Sequence, residues 1–448
     1  MGERDTDSMS WFQKLRQDEL LGKVIANSAH LFSANSISLA LSVIQGILAA
    51  RLLGPAGYGL IGIVMQFAST VNGVFSFRMS EVVVRYAGEY LEKKENEQAG
   101  ALIKAAGLTE ATVSFLAFLV VVLAAGLATR FIAKTPGVQW MFVVYAIGLL
   151  ANFNTETSTG ILQITDQIKL QGTINLIQSI VTVLLIVGAF ILKGTLTFVL
   201  ITYLIGKVMM GLGIFIMAQI HLHRKLGRGW WKASFASLPS FRELARFAIS
   251  SNLSATIILV FRESEILWVG YFLNASAAGY YKVAYNIISL LSIPADPLIL
   301  TVYPEINRLI VQKAWPRLRD FLRKITTLSF AYSMLIALGL ILFGHWILLV
   351  FGSQYVIAYP ALMALLVGIA FNYTLFWNRP LLLSFNLPVF PLWATLMAGL
   401  LKVGLAFPLV PRYGYVMEGA LLSLYYVVSV GLMAGRGMQE LKRRESPV

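Results

Sequence analysis

Four ionisable residues stand close together where almost everything around them is apolar. Arg262, Glu263 and Glu265 lie inside Phe261-Arg262-Glu263-Ser264-Glu265-Ile266-Leu267-Trp268-Val269-Gly270, and Lys282 follows Ala278-Gly279-Tyr280-Tyr281 in the next apolar stretch. An ionised side chain at the centre of a bilayer costs about 2.5–3.5 kcal/mol on insertion scales, so charge there needs a partner or a wet cavity. On a helix turning about 100° per residue, Arg262 and Glu265 are roughly 60° apart and Glu263 and Glu265 about 160° apart. The first pair is therefore expected to share a face and Glu263 to point elsewhere. Counted from a turn near residues 274–276, Glu265 lies about 14 Å down one helix and Lys282 about 10 Å down the next, so they can pair across the hairpin. A guanidinium offers a planar fork to oxyanions, and Arg262 and Lys282 would suit an anionic ligand. A carboxylate such as Glu265 could titrate or hold a cation. The purely structural alternative is an Arg262–Glu265–Lys282 salt-bridge cluster locking two helices together.

Other charges extend the set. Asp296 sits between Pro294 and Pro297, which remove backbone donors and are expected to kink the helix. Arg78, Glu81 and Arg85 fall near the inner end of the second apolar run, where they could receive an anionic head group, although membrane anchoring alone explains Arg85. Arg51 stands at the outer end of the first run, where it either assists release or snorkels. Lys207, Lys402 and Glu418 lie inside apolar runs with no partner assignable from sequence. His221 and His223 adjoin Arg224 and Lys225, which reads as a solvated basic loop rather than a metal site. Neither G-x-x-x-x-G-K-[ST] nor H-E-x-x-H occurs, so ATP-driven transport and zinc proteolysis gain no support.

The elements that must position these residues are membrane spans. The 448 residues are 57% hydrophobic and 13% charged, with a mean hydropathy of +0.72; soluble domains carry about a quarter charged residues. A span needs roughly 20 apolar residues, and about twelve such runs are present, at 28–53, 57–80, 107–130, 138–160, 171–192, 195–219, 244–272, 277–303, 325–351, 355–377, 388–410 and 414–436. The expectation is an all-α integral membrane protein with no large soluble domain. Residues 9–27 place Trp11, Phe12, Leu15 and Leu20 at helical spacing among charges, as in a helix lying on the membrane surface. Met1-Gly2 opens an N-myristoylation pattern, but acidic Glu3 follows, and a protein with many spans gains nothing from one acyl chain. The first thirty residues lack the compact apolar core of a signal peptide.

The net charge of +14 is scattered through short connections rather than gathered in a patch, so nucleic acid is not an expected partner. With the N-terminus inside, inner segments hold roughly 27 Lys and Arg and outer ones about five. Both termini are then cytoplasmic, as an even number of spans requires. Cysteine is absent, which rules out disulfides and thiolate metal sites.

A basic segment near 220–243 divides the chain. The expected units are a surface segment 1–27, a first six-helix lobe 28–219, the linker 220–243, a second lobe 244–437 and a basic tail 438–448. Leu52-Leu53-Gly54-Pro55-Ala56-Gly57-Tyr58-Gly59 in the first half matches Phe272-Leu273-Asn274-Ala275 and Ala278-Gly279-Tyr280-Tyr281 in the second, after a two-residue insertion. With that insertion counted, Glu265 corresponds to Gln45 and Arg262 to Ser42. Two parallel lobes suit alternating access around a site between them.

These segments carry a resemblance. Ala50-Arg51-Leu52-Leu53-Gly54-Pro55-Ala56-Gly57-Tyr58-Gly59, Gly160-Ile161-Leu162-Gln163 with Asn175-Leu176-Ile177-Gln178-Ser179, and Val269-Gly270-Tyr271-Phe272-Leu273 with Ala278-Gly279-Tyr280-Tyr281-Lys282 occur in the order and spacing of one family. The chain resembles the polysaccharide transporter branch, the O-antigen (Wzx-like) flippases, of the multidrug/oligosaccharidyl-lipid/polysaccharide exporter superfamily. Many relatives carry an aspartate where this chain has Glu265. The resemblance implies a V-shaped, MATE-like pair of six-helix lobes that moves a polyprenyl-pyrophosphate-linked oligosaccharide from the inner to the outer leaflet of the cell membrane. It implies a secondary transporter rather than an enzyme, with no cofactor beyond a coupling H+ or Na+. The implied partners are lipid-linked oligosaccharide, membrane lipids and polysaccharide-assembly proteins. Two alternatives remain at this point: a cation-coupled multidrug exporter of the same superfamily, which would favour acidic pockets, and a membrane polymerase or glycosyltransferase, which the short outer connections disfavour.

Overall fold

Backbone polar groups in hydrocarbon must be satisfied within their own segment, and long apolar runs therefore become helices. The computed structural model describes residues 19–76, 78–235, 256–290 and 295–445, and among these there is no strand. The helices used below are α1 (Glu19–Phe75), α2 (Asn96–Ala128), α3 (Gln139–Ala151), α4 (Thr155–Ile164), α5 (Ile168–Ile191) and α6 (Leu196–Leu226) in the first half. The second half contributes α7 (Glu265–Phe272), α8 (Ala275–Ser289), α9 (Ala295–Val311), α10 (Trp315–Phe351), α11 (Tyr359–Thr374), α12 (Asn378–Ser384), α13 (Val389–Tyr413) and α14 (Tyr415–Glu445).

Eight stretches among the described residues are long and apolar enough to cross a membrane, against the twelve expected. The difference has local causes. The first two expected spans form one continuous α1, interrupted only at Gly54, whose φ of 65° and ψ of 178° kink the chain ahead of Pro55. The expected span 138–160 is divided between α3 and α4 at residues 152–154. Those at 244–272 and 277–303 include residues outside the described set, as do most of the surface segment 1–27 and part of the linker 220–243.

The two halves share one core and keep smaller cores of their own. The shared cluster joins Tyr58, Ile61 and Met141 to Tyr281, Ile288 and Tyr355. A second cluster, around Val83, Ile161 and Leu222, belongs wholly to the first half; a third, around Ile306, Leu381 and Leu441, belongs to the second. The halves are thus fused at one end and separate at the other. Leucines such as Leu123 (80% exposed) and Leu192 (77%) point outward, which suits a lipid surround rather than water.

Where hydrocarbon surrounds the protein, burying apolar surface does not favour one helix over another as a neighbour, so close packing of small residues matters most. The repeated segments meet each other in this way. A Cβ on Gly59 would fall 1.8 Å from the Ala275 carbonyl oxygen, and one on Gly279 would fall 2.0 Å from that of Pro55. Tyr355 Oη donates to the Ala50 carbonyl at 3.1 Å and Asn286 Nδ2 to Tyr58 Oη at 3.2 Å, tying α8 and the α10–α11 connection to α1.

Candidate functional site

The ionisable cluster is shaped by a break in its helix. Residues Leu259–Glu263 form a π turn, Ser264 leaves the helix, and α7 begins at Glu265. The Val260 carbonyl, released from the regular ladder, accepts from Ser264 Oγ at 2.6 Å and from Trp268 Nε1 at 3.3 Å. Wider turns of this kind are rare and recur at functional sites. They also spoil the count of 100° per residue. Contrary to the sequence expectation, Arg262 and Glu265 do not share a face: Glu265 turns into the second half, while Arg262 and the exposed Glu263 border an open cleft.

The Glu265–Lys282 pair that depth allows does not form either. Glu265 is ion-paired with Lys402 of α13, and its Oε2 accepts from Tyr281 Oη at 2.8 Å. Lys402 Nζ lies 3.1 Å from Glu418 Oε1 of α14 and donates to the Phe261 carbonyl at 3.2 Å. The three charged side chains are 2%, 1% and 0% exposed for Glu265, Lys402 and Glu418, so water does not screen them. Two carboxylates therefore share one ammonium, and full ionisation leaves the group one negative charge in excess. Neither Glu418 oxygen has a well-oriented hydrogen-bond donor among the described residues. Taking an ion pair out of water is favourable only with excellent geometry, and removing one partner is strongly destabilising.

Lys282 turns the other way. Its Nζ sits 4.1 Å from the centre of the Tyr58 ring, and its stem fills the space left by Gly62. No carboxylate lies within 4 Å of it among the described residues. The lysine expected to join the cluster instead joins the two halves.

A cleft of about 550 Å³ opens between the halves. Its described lining includes Arg78, Ser80, Glu81 and Glu156 from the first half and Arg262 and Glu263 from the second. Arg78 has a left-handed backbone (φ 47°) ahead of the short helix Met79–Val82 and pairs with Glu81 at 3.0 Å; Ser80 Oγ donates to Glu156 at 2.5 Å. Arg262 differs from Arg78. No carboxylate lies within 4 Å of it among the described residues, its Nε is buried without a hydrogen-bond partner, and its guanidinium lies 5.6 Å from the Tyr426 ring centre.

The remaining predicted residues are not gathered at this cleft. Arg51 Nε donates to the Val350 carbonyl at 2.7 Å and caps the end of α10, joining the halves at their fused end. Arg85 is exposed and lies 5.2 Å from the Tyr86 ring centre. Asp296 falls in the first turn of α9, and its side chain lies outside the described residues.

Two features are not legible from single residues. Lys402 and Glu418 were visible as isolated charges in apolar runs, but Glu265 and Lys402 are separated by 137 residues, beyond any local spacing rule. Glu110 carries only the signal of a charge near the start of the apolar run 107–130, with no partner assignable from sequence. Its two carboxylate oxygens accept from the backbone N–H groups of Glu156 and Thr157 at 2.8 Å each, capping α4, and it borders a pocket of about 170 Å³ with Asn72, Asn152 and Lys207.

Similarity to known proteins agrees with this architecture. The family described as "Polysaccharide biosynthesis protein" matches residues 24–310. The inner membrane protein YghQ of Escherichia coli (strain K12) is 25% identical over 363 residues, which cover 78% of this chain and 97% of YghQ. A Synechocystis protein named "Probable lipid II flippase MurJ" is 23% identical over 329 residues, 69% of this chain and 61% of that protein. Among solved structures, an inward-facing multidrug resistance MATE family transporter of the MOP superfamily gives a TM-score of 0.75 at 13% identity, over 91% of this chain and 95% of that one. The lipid II flippase MurJ in its inward closed conformation gives 0.69 at 13% identity, over 92% and 89%. Likeness at such identities is one of fold, the two-lobed, V-shaped helical architecture of these transporters. The match over residues 24–310 goes further: the chain belongs to the polysaccharide biosynthesis protein family, and its long apolar helices make it a multi-pass membrane protein.

Proposed function

We propose that this protein is a secondary transporter that flips polyprenyl-(pyro)phosphate-linked oligosaccharide from the inner to the outer leaflet of the cell membrane, with both termini in the cytoplasm. The observation that carries the reading is Arg262, a guanidinium at the cleft between the halves with no carboxylate within 4 Å among the described residues. An unneutralised guanidinium in a membrane protein is costly, and a phosphate entering the cleft would relieve that cost with two charge-assisted hydrogen bonds. Glu263 and Arg78 would flank the head group as it enters. The Glu265–Lys402–Glu418 group is the proposed coupling element. Its excess negative charge gives a place for one H+ or Na+, and the break at Ser264 links its state to the orientation of Arg262 two residues away.

The test is to delete the gene and assay on which leaflet lipid-linked saccharide accumulates, then to complement with Arg262→Ala. Inner-leaflet accumulation, unrelieved by a variant present at normal level, supports the reading; an unchanged distribution sinks it. A second reading, a cation-coupled multidrug exporter, draws on the three carboxylates Glu81, Glu156 and Glu263 in the cleft. Export of a cationic dye that is lost in Glu263→Gln but kept in Arg262→Ala would favour it.

A further inference from the structure

Arg262 borders a second cavity besides the cleft. A space of about 340 Å³ lies inside the second half, between the segment leading into α7 and helices α11 to α14. Its lining includes Arg262, Arg379, Asn372, Tyr373, Tyr425 and Tyr426, and no Asp or Glu is among the described lining residues. The contrast with the cleft is one of charge: there two guanidinium groups face three carboxylates, whereas here two guanidinium groups face none. Arg379 is exposed and has no carboxylate within 4 Å among the described residues. Arg262 brings the same property from the other side, with its Nε buried and unpartnered.

The rest of the wall matches a polar ring. The Tyr425 and Tyr426 rings stand 5.5 Å apart at 70°, which forms an aromatic corner, and tyrosine combines an apolar face with a polar tip. Amide and hydroxyl groups from Asn372 and Thr395 add donors and acceptors suited to sugar hydroxyls. The volume is near the lower end of small-ligand pockets, about 300–1,000 Å³, so it admits a ring-sized group and not an oligosaccharide.

We infer that this cavity is a specificity subsite for a sugar that carries an oxyanion, either a carboxylate or a phosphate, on the transported saccharide. The inference rests on the flippase reading above, and it adds selection among saccharides to the recognition of the lipid-linked phosphate at the cleft. Arg262 closes one end of the cavity and Arg379 faces the oxyanion.

The experiment uses the full-length protein in nanodiscs, titrated with three undecaprenyl-pyrophosphate disaccharides that differ only in a terminal glucose, glucuronate or glucose 6-phosphate. Wild type is expected to bind at least one acidic form about tenfold more tightly than the glucose form, the scale of one charge-assisted contact. The better acidic form identifies the oxyanion. In Arg379→Gln the preference should fall to near unity. Asn372→Asp, which places a carboxylate inside the cavity, should abolish or reverse it, and it serves independently if the first variant does not fold. Equal affinity of wild type for all three, or a preference retained in both variants, overturns the subsite while leaving the flippase reading intact. Binding of none of the three overturns both.

Discussion

The sequence repeat sets Gln45 of the first half against Glu265 of the second, and the surroundings of the two side chains differ. α1 passes through Gln45 without a break, and the buried amide is satisfied by one donation to the Ser179 carbonyl at 3.1 Å. At Glu265 the helix is interrupted, and the carboxylate needs an ammonium from α13 and a hydroxyl from α8. A neutral amide costs little to bury once hydrogen-bonded; a charge requires pairing as well. The comparison teaches that positions matched by the sequence repeat can differ wholly in electrostatic surroundings. The first half instead places its charge on other helices, with Glu110 on α2, where it caps α4, and Lys207 on α6.

The largest expected effect follows from removing the shared cation. Lys402→Ala should destabilise the protein by about 3–5 kcal/mol, because two buried carboxylates are left facing each other. Thermal unfolding in detergent would read this as loss of folded protein, and an unchanged melting temperature would mean the group is not an ion-paired unit. Gly279→Val should cost about 1–3 kcal/mol, since any Cβ there meets the Pro55 carbonyl and must push the halves apart. Crosslinking between α1 and α8 would detect the separation. Glu265→Gln gives the second half the amide of the first; it should cost about 1–2 kcal/mol and, under the coupling role proposed above, leave flipping independent of pH and Na+. Retained dependence would place coupling elsewhere. The smallest effect is expected at Gln45→Leu, about 1 kcal/mol or less, with coupling intact in a proteoliposome flipping assay. If Gln45→Leu proved as damaging as Lys402→Ala, the asymmetry between the halves would not hold.

Much of the fold was legible because it depends on local properties. Hydropathy exposed the apolar runs, and the Gly-Tyr segments exposed the repeat without any knowledge of packing. The site was legible in kind but not in connection. Arg262 lines the cleft, but its relation to Glu265 does not follow from a regular helix, because residues 259–263 form a wider turn. Lys282 was assigned to Glu265 on depth alone. The structure instead places it against Tyr58, since Gly62 offers room for its stem and Lys402 already occupies the carboxylate.

By itself the sequence determined that this chain lives in a membrane, that it is helical, that a Gly-Tyr segment recurs in its second half, and that unusual charge is concentrated there. Those properties follow from the transfer energies of single residues and from periodicity, which are additive along the chain. Only the tertiary structure decided which charge meets which. Glu265, Lys402 and Glu418 are brought together by α7, α13 and α14, and Arg262 is separated from them by one unwound residue. Ion pairing inside a membrane depends on contacts of a few ångströms between helices distant in sequence, and no local pattern encodes them.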